Sequence, residues 1–191
     1  MAAIAEQAGV GMGSLYRRYG SKADLLRHLC TLAMQDTIQA AERALTETDP
    51  WTGVAGYIEA CVAQRTGALS ALAGSIQTTP QRWEISQRSR ELLDKLIRRA
   101  RRAGALRPDV TALDIAWLIE TLGRSGPAAP SATDDIIKRR LTAIAVDGLR
   151  PGPAGRDLTA LATPAPSAAH YERRWQGADH PGPSDRRNRT P

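Results

Sequence analysis

The chain has 191 residues, 42% hydrophobic and 24% charged, a balance that suits one ordinary globular domain or a small module joined to a larger one. Aromatic residues make up only 4% and Phe is absent, so the core must come from Leu, Ile, Val and Ala, which argues for packed helices and against a β-rich fold. The formal net charge of +6 suits a polyanionic partner without identifying one, and no apolar run approaches the roughly 20 residues of a membrane span or forms a signal sequence. An all-α, cytoplasmic protein with no membrane association is expected.

In chain order, Ala2 to Ala8 places Ile4, Ala5 and Ala8 on one helical face, and Gly9 ends that helix as a residue free to take positive φ. After the flexible Gly11-Met12-Gly13 turn, Ser14 can cap a second short helix through Tyr19. Gly20 closes it, and Ser21 with Asp24 opens a third as an abbreviated capping box. The third helix is long, with Leu25, Leu29 and Leu32 followed by Ile38, Ala41 and Leu45 on its apolar stripe. It ends before Asp49-Pro50.

A further helical pattern runs through Val54, Tyr57, Ile58, Cys61 and Val62 and is expected to continue into Ala68 to Ile76, until Thr78-Thr79-Pro80 breaks it. The next helix carries Ile85, Leu92, Leu93, Leu96, Ile97 and Ala100 on one side and stops at Gly104. Ile115 to Ile119 is apolar all round, hence buried on several sides. Gly123 to Pro130 interrupts, and Thr133 or Asp134 starts a last helix with Ile137, Leu141, Ile144 and Ala145 on one stripe, ending at Gly148. Past Leu149 the composition turns to Pro, Gly, Ala and Arg, which cannot repay the entropy of ordering, except where the rings of Tyr171 and Trp175 could dock.

Two short helices joined by a Gly-containing turn, with a long helix directly behind, form an arrangement whose second helix can enter a DNA major groove. Ser14, Tyr16, Arg17 and Arg18 supply hydroxyl and guanidinium donors for phosphates and base edges, Ser21 and Lys22 add a phosphate contact beside the groove, and Leu15 and Tyr19 face inward.

The string "IAEQAGVGMGSLYRRYGSKADLL", Ile4 to Leu26, resembles the helix-turn-helix of TetR-family transcriptional regulators: Ile-Ala, Ala-Gly-Val, Ser-Leu-Tyr, an aromatic, Ser-Lys and Leu-Leu follow in the family's order. The resemblance implies that Ser14 to Tyr19 is the recognition helix. It places Met12, Gly13, Ser14, Arg17 and Arg18 at bases or nearby phosphates, and Tyr16 and Lys22 at phosphates. Gly11 stands where Ser or Thr is usual, which weakens the cap.

The same resemblance implies three parts: residues 1–44 as helix-turn-helix with connecting helix, 45–149 as a helical effector-binding and dimerisation domain, and 150–191 as a mostly disordered tail. The expected partners are an operator in double-stranded DNA, an unidentified small-molecule effector, and a second copy pairing through the helices at 111–122 and 133–148. Family members carry a further helix ahead of these two, so the chain is expected to start at the second helix of an incomplete three-helix module.

Tyr57, Trp83 and Trp117 could line an effector pocket, with Glu59 or Glu120 favouring a cationic or aromatic compound. Nine Arg and Lys against three acids fall between Gln81 and Arg107. Arg98, Arg99, Arg101 and Arg102 read either as a second nucleic-acid patch or as cations favoured by a helix C-terminus. Cys30 and Cys61 lack CxxC spacing and read as buried free thiols. His28, His170 and His180 share no metal-ligand spacing, so no metal and no cofactor is expected. With neither a phosphate loop nor a GxSxG motif, an enzyme is not expected. The function expected is a ligand-responsive, homodimeric DNA-binding repressor of an inverted-repeat operator. The alternative is a ligand-binding or dimerisation protein whose DNA module has lost its function with its first helix.

Overall fold

The computed structural model describes residues 1–67, 79–124, 131–152, 160–167 and Ala169. Among these there are seven helices and no strand: α1 Ala2–Ala8, α2 Met12–Arg18, α3 Lys22–Thr46, α4 Pro50–Ala63, α5 Pro80–Arg102, α6 Ala112–Gly123 and α7 Ala132–Asp147. The all-α expectation holds. No helix among the described residues is long and apolar enough to cross a membrane.

The helix ends follow local chemistry. Gly9, at φ 64°, ends α1 and donates to the Ala5 and Glu6 carbonyls, a left-handed closure that costs glycine little. Ser21 Oγ accepts the Asp24 N–H at 3.1 Å to open α3. Asp49 caps α4 through the Thr52 N–H, with Pro50 in the first turn, where its missing N–H costs nothing. Reciprocal capping boxes, Thr111 with Asp114 and Ser131 with Asp134, open α6 and α7.

Several sequence expectations shift here. The N-cap of α2 is Gly11, whose carbonyl accepts the Ser14 and Leu15 N–H groups, so Ser14 lies inside the helix and caps nothing. Tyr19, in extended conformation, ends α2 one residue ahead of Gly20. The last helix starts earlier than Thr133 because Ser131 is its N-cap: the Ser131 hydroxyl accepts the Asp134 N–H, and the Asp134 carboxylate, at the third helical position, accepts the Ser131 N–H. α4 ends at Ala63, with Arg65 at φ 55°, so the fourth helix does not run on unbroken; Ala68 to Ile76 itself lies outside the described residues.

α3 is the spine. Its 25 residues span roughly 37 Å at about 1.5 Å per residue, and it packs along both α4 and α5, while α4 also packs on α6 and α7. The main core joins Ala41, Val54, Ile58, Cys61, Leu96, Ala100 and Ile115, all fully buried. Small residues let the helices close up: a Cβ on Gly53 would stand 2.5 Å from the Ala44 carbonyl oxygen. A second, smaller cluster of Ala5, Leu15 and Leu25, with Met1, Ile4 and Tyr19 against it, holds α1, α2 and the start of α3 together.

Leu29 and Leu32 depart from the predicted stripe of α3: both are exposed, and the buried face instead runs through Leu25, Cys30, Ala40, Ala41 and Ala44. On α7 the buried residues are Thr142 and Val146, while Ile136, Ile137, Leu141 and Ile144 point to solvent at 50–58% exposure. After α7 the chain returns over the body. Arg150 lies over the Trp51 ring at 4.3 Å, and the Leu161 N–H donates to Asp109 Oδ2 at 3.1 Å. Tyr171 and Trp175 lie outside the described residues.

Candidate functional site

α1 and α2 meet across the Gly9–Gly11 turn, and Leu15 is the buried anchor that fixes the roll of α2. With Leu15 inward, Met12, Gly13, Ser14, Tyr16, Arg17 and Arg18 are all exposed. Arg17 Nη2 donates to Ser14 Oγ at 3.1 Å, one turn back. Arg18 Nε donates to the Tyr19 hydroxyl at 3.1 Å, and Tyr19 in turn packs against His28 of α3 at 5.5 Å between rings. Lys22 is exposed on the first turn of α3, directly behind the Ser21 cap. The structure therefore leaves all seven sequence-predicted positions exposed on one small module, with two guanidinium groups, the Lys22 ammonium and the side chains of Met12, Ser14 and Tyr16. Such a surface suits phosphate oxygens and base edges.

Farther along α3, a cavity of about 360 Å³ opens between α3, α5 and α6, with Tyr57 of α4 at its wall. α3 contributes Cys30, Ala33, Met34 and Thr37, at helical spacing; α5 contributes Arg82, Ser86, Ser89, Arg90, Leu93 and Asp94; α6 contributes Ala112, Leu113, Ala116, Ile119 and Glu120. Of the three aromatics singled out from the sequence, Tyr57 lines this cavity, and Trp83 and Trp117 do not; Trp83 is 49% exposed. Glu59 is exposed on α4 and lies outside the lining. Glu120 is buried and ion-paired to Arg124 at 2.9 Å.

The polar column on α5 is what sequence reasoning missed. Arg82, Ser86 and Arg90 stand at i, i+4 and i+8, on one helical face, a signal hidden by the many other arginines of that helix. Burial pushes the Cys30 thiol above its ordinary pKa, with the Arg82 charge opposing it. Cys61, deeper in the core, is pushed up to about 12 by burial, against weaker opposing contacts with Tyr57 and Thr37. Both cysteines are buried and free.

The arginines at the end of α5 divide by role. Arg99 collects carbonyls at the C-terminus of α3, and Arg101 donates to the Val110 carbonyl; Arg98 and Arg102 are exposed. Because Arg99 meets the far end of α3, this group lies at the opposite pole from Arg17 and Arg18. Among the described residues, no group of three His, Cys, Asp or Glu is placed to hold a metal ion.

Residues 49–151 match the family described as transcriptional regulator SbtR-like, C-terminal domain, and residues 1–29 match bacterial regulatory proteins of the tetR family. No curated protein matches the chain. Among solved structures, a TetR transcriptional regulator of Streptomyces coelicolor is 20% identical, with a TM-score of 0.54 over 78% of this chain and 86% of that one. The ketosteroid transcriptional regulator KstR2 of Mycobacterium tuberculosis is 18% identical, with a TM-score of 0.54 over 78% and 83%. A bacterial regulatory protein in the tetR family from Rhodococcus RHA1 is 19% identical, with a TM-score of 0.55 over 80% and 86%. At such identities these structures speak for the fold alone. With one family match spanning the body of the chain and another spanning α1, α2 and the start of α3, this chain belongs to the TetR family of DNA-binding transcriptional regulators.

Proposed function

We propose that the protein is a ligand-responsive repressor that binds an inverted-repeat operator as a homodimer. The observation that carries this reading is the double duty of α3: it begins at Lys22 beside the recognition helix and forms a cavity wall from Cys30 to Thr37, two to four turns on. A ligand that prefers one placement of α3 would bias the position of α2, and a shift in population follows from that differential affinity. Met12, Gly13, Ser14, Tyr16, Arg17, Arg18 and Lys22 are the proposed DNA contacts. The exposed stripe of α7, with α6 beside it, is the proposed dimer face, setting two recognition helices about one DNA turn, roughly 34–36 Å, apart.

Selection of duplexes from a random pool by the full chain, followed by gel shift, tests this. An inverted repeat should emerge, and Arg17→Ala and Arg18→Ala should each weaken it by about tenfold, given about 1–3 kcal/mol for a good base contact. Unchanged affinity in both variants would remove the proposed reading contacts.

A second reading, a ligand-binding protein that does not grip DNA, draws on the small size of the cluster under α2, where Ala5, Leu15 and Leu25 are the buried members while Val10, Leu29 and Leu32 are exposed. Amide exchange separates the two: strong protection of Leu15 to Tyr19 favours the repressor, and rapid exchange favours the second reading.

A further inference from the structure

Arg17 and Arg18 are neighbours on α2, yet they are tied in different ways. Arg17 uses Nη2, an atom of its own fork, to donate to Ser14 Oγ at 3.1 Å, and both partners are exposed on the same helix. Arg18 uses Nε, at the base of its fork, to donate to the Tyr19 hydroxyl at 3.1 Å. Its Nη nitrogens take no part in that bond.

Tyr19 is a firm partner because it belongs to the core as well as to the surface. As the C-cap of α2 it leaves the helical path in extended conformation, and its ring packs against the cluster of Ala5, Leu15 and Leu25. The His28 ring of α3 stands 5.5 Å away, tilted by 44°. Contacts from α1, α2 and α3 therefore hold the ring, and the hydroxyl at its end is a fixed acceptor. The Arg18 guanidinium carbon also lies 5.7 Å from the centroid of the Tyr19 ring, within range of a cation–π attraction.

A long exposed arginine has much rotamer freedom to lose when it binds, and a side chain ordered beforehand loses less. We infer that Tyr19 is a positioning residue for DNA binding: its hydroxyl holds Arg18 by Nε, so that the Nη pair meets the duplex with its orientation already set. This rests on the reading of Arg18 as a DNA contact. The arginine fork offers parallel donors to a phosphate or to guanine O6 and N7, and a bond at Nε fixes its plane without engaging either Nη. Arg17 has no comparable support, because its partner Ser14 is itself a proposed DNA contact.

Gel shift with the duplex selected by the parent chain, run on Tyr19→Phe, Arg18→Ala and the double variant, tests this. Phenylalanine keeps the ring in its cluster and beside His28, so the melting of the free Tyr19→Phe chain should stay near the parent's. Tyr19→Phe should weaken binding about threefold to tenfold, the scale of one long side chain ordered on binding. In the Arg18→Ala background it should cost nothing further. A hydroxyl that serves the fold or touches DNA itself would cost the same in both backgrounds, and that result overturns the inference, as does parental affinity in Tyr19→Phe. Parental affinity in Arg18→Ala, or a parent chain that selects no duplex, instead removes the reading of Arg18 as a contact and the inference with it. A second readout needs no DNA. By NMR of the free chain, the Arg18 Nε–H should exchange with water more slowly than that of Arg17, and Tyr19→Phe should abolish the difference; equal exchange in the parent overturns the positioning role alone.

Discussion

Arg99 of α5 is bound to Leu45 of α3 across the helix interface, its Nη1 donating to the Leu45 carbonyl at 3.1 Å. The same guanidinium reaches the Ala44, Glu47 and Thr48 carbonyls. The last carbonyls of a helix have no partner within it, and a fixed cation there also meets the negative end of the helix dipole. Arg99→Ala should destabilise the protein by about 2 kcal/mol, the scale of a charged hydrogen bond whose acceptors are left unsatisfied. Arg98→Ala, one residue away and exposed, should stay within about 0.5 kcal/mol. Urea unfolding of the two variants checks this, and equal effects would refute the capping role.

Two glycines of α4 should respond to alanine with opposite sign. At Gly53 the added Cβ would meet the Ala44 carbonyl oxygen at 2.5 Å, backbone that can only yield if α3 and α4 move apart, so Gly53→Ala should cost about 1–3 kcal/mol. At Gly56 nothing lies within 4 Å of the added atom, and Gly56→Ala should stabilise by about 0.5–1 kcal/mol through the lower chain entropy of alanine. Thermal melts of both variants give the two signs directly.

Asp109 gives the fold a dependence on acid. Its bonds from the Arg107 side chain and, secondly, from the Leu161 N–H hold its carboxyl well below the ordinary carboxylate range. A depressed folded pKa contributes stability that is present above the unfolded value of about 3.9 and is lost as pH falls through it towards the folded value. Asp109→Asn should therefore be less stable than the parent at neutral pH, with the gap closing below about pH 4. Stability measured from pH 7 down to 3 tests this, and a gap that stays constant with pH would refute it.

The two thiols should be inert in the native chain. With the Cys61 thiol pushed up to about 12, its thiolate fraction at pH 8 is roughly one in ten thousand, and Cys30 is buried with its pKa also raised. The thiolate is the reactive form, so a disulfide reagent should label neither residue at pH 8 in buffer and both in concentrated urea. Rapid native labelling of Cys30 alone would show that the cavity wall opens.

Helix boundaries were legible where a local signal marks them: the Ser21 start with Asp24 and the Gly9 stop act where the sequence places them. The start of α2 was not, because Ser14 has the chemistry of a cap while Gly11 already provides the carbonyl that begins the helix. Helix roll was harder still. One residue turns a side chain by about 100°, so Arg82 enters the cavity and Trp83 does not, and Ala116 enters it and Trp117 does not. Aromatic type marked the tryptophans, but only packing of α5 and α6 against α3 decides which neighbour faces the space. The bond from Leu161 to Asp109 joins residues 52 apart with no pattern to announce it.

The exposed stripe of α7 carries the last prediction, on the proposed second copy. Ile136, Ile137, Leu141 and Ile144 are all at least half exposed, whereas a lone amphipathic helix buries such a stripe and turns its polar face to water. Here the monomer buries Thr142 and Val146 instead, so the aliphatic residues are left for a partner, and a patch of this kind marks an interaction surface. Two-fold symmetry would set the same stripe of each copy into the interface, so a single substitution acts twice. Leu141→Lys should turn a dimer into a monomer in sedimentation velocity, while the helical signal and the melting of the isolated subunit stay near the parent's because the site is already solvated there. It should also weaken operator binding, since two half-sites are then read by separate molecules. A parent chain that sediments as a monomer, or a Leu141→Lys variant that stays dimeric, would place the interface elsewhere.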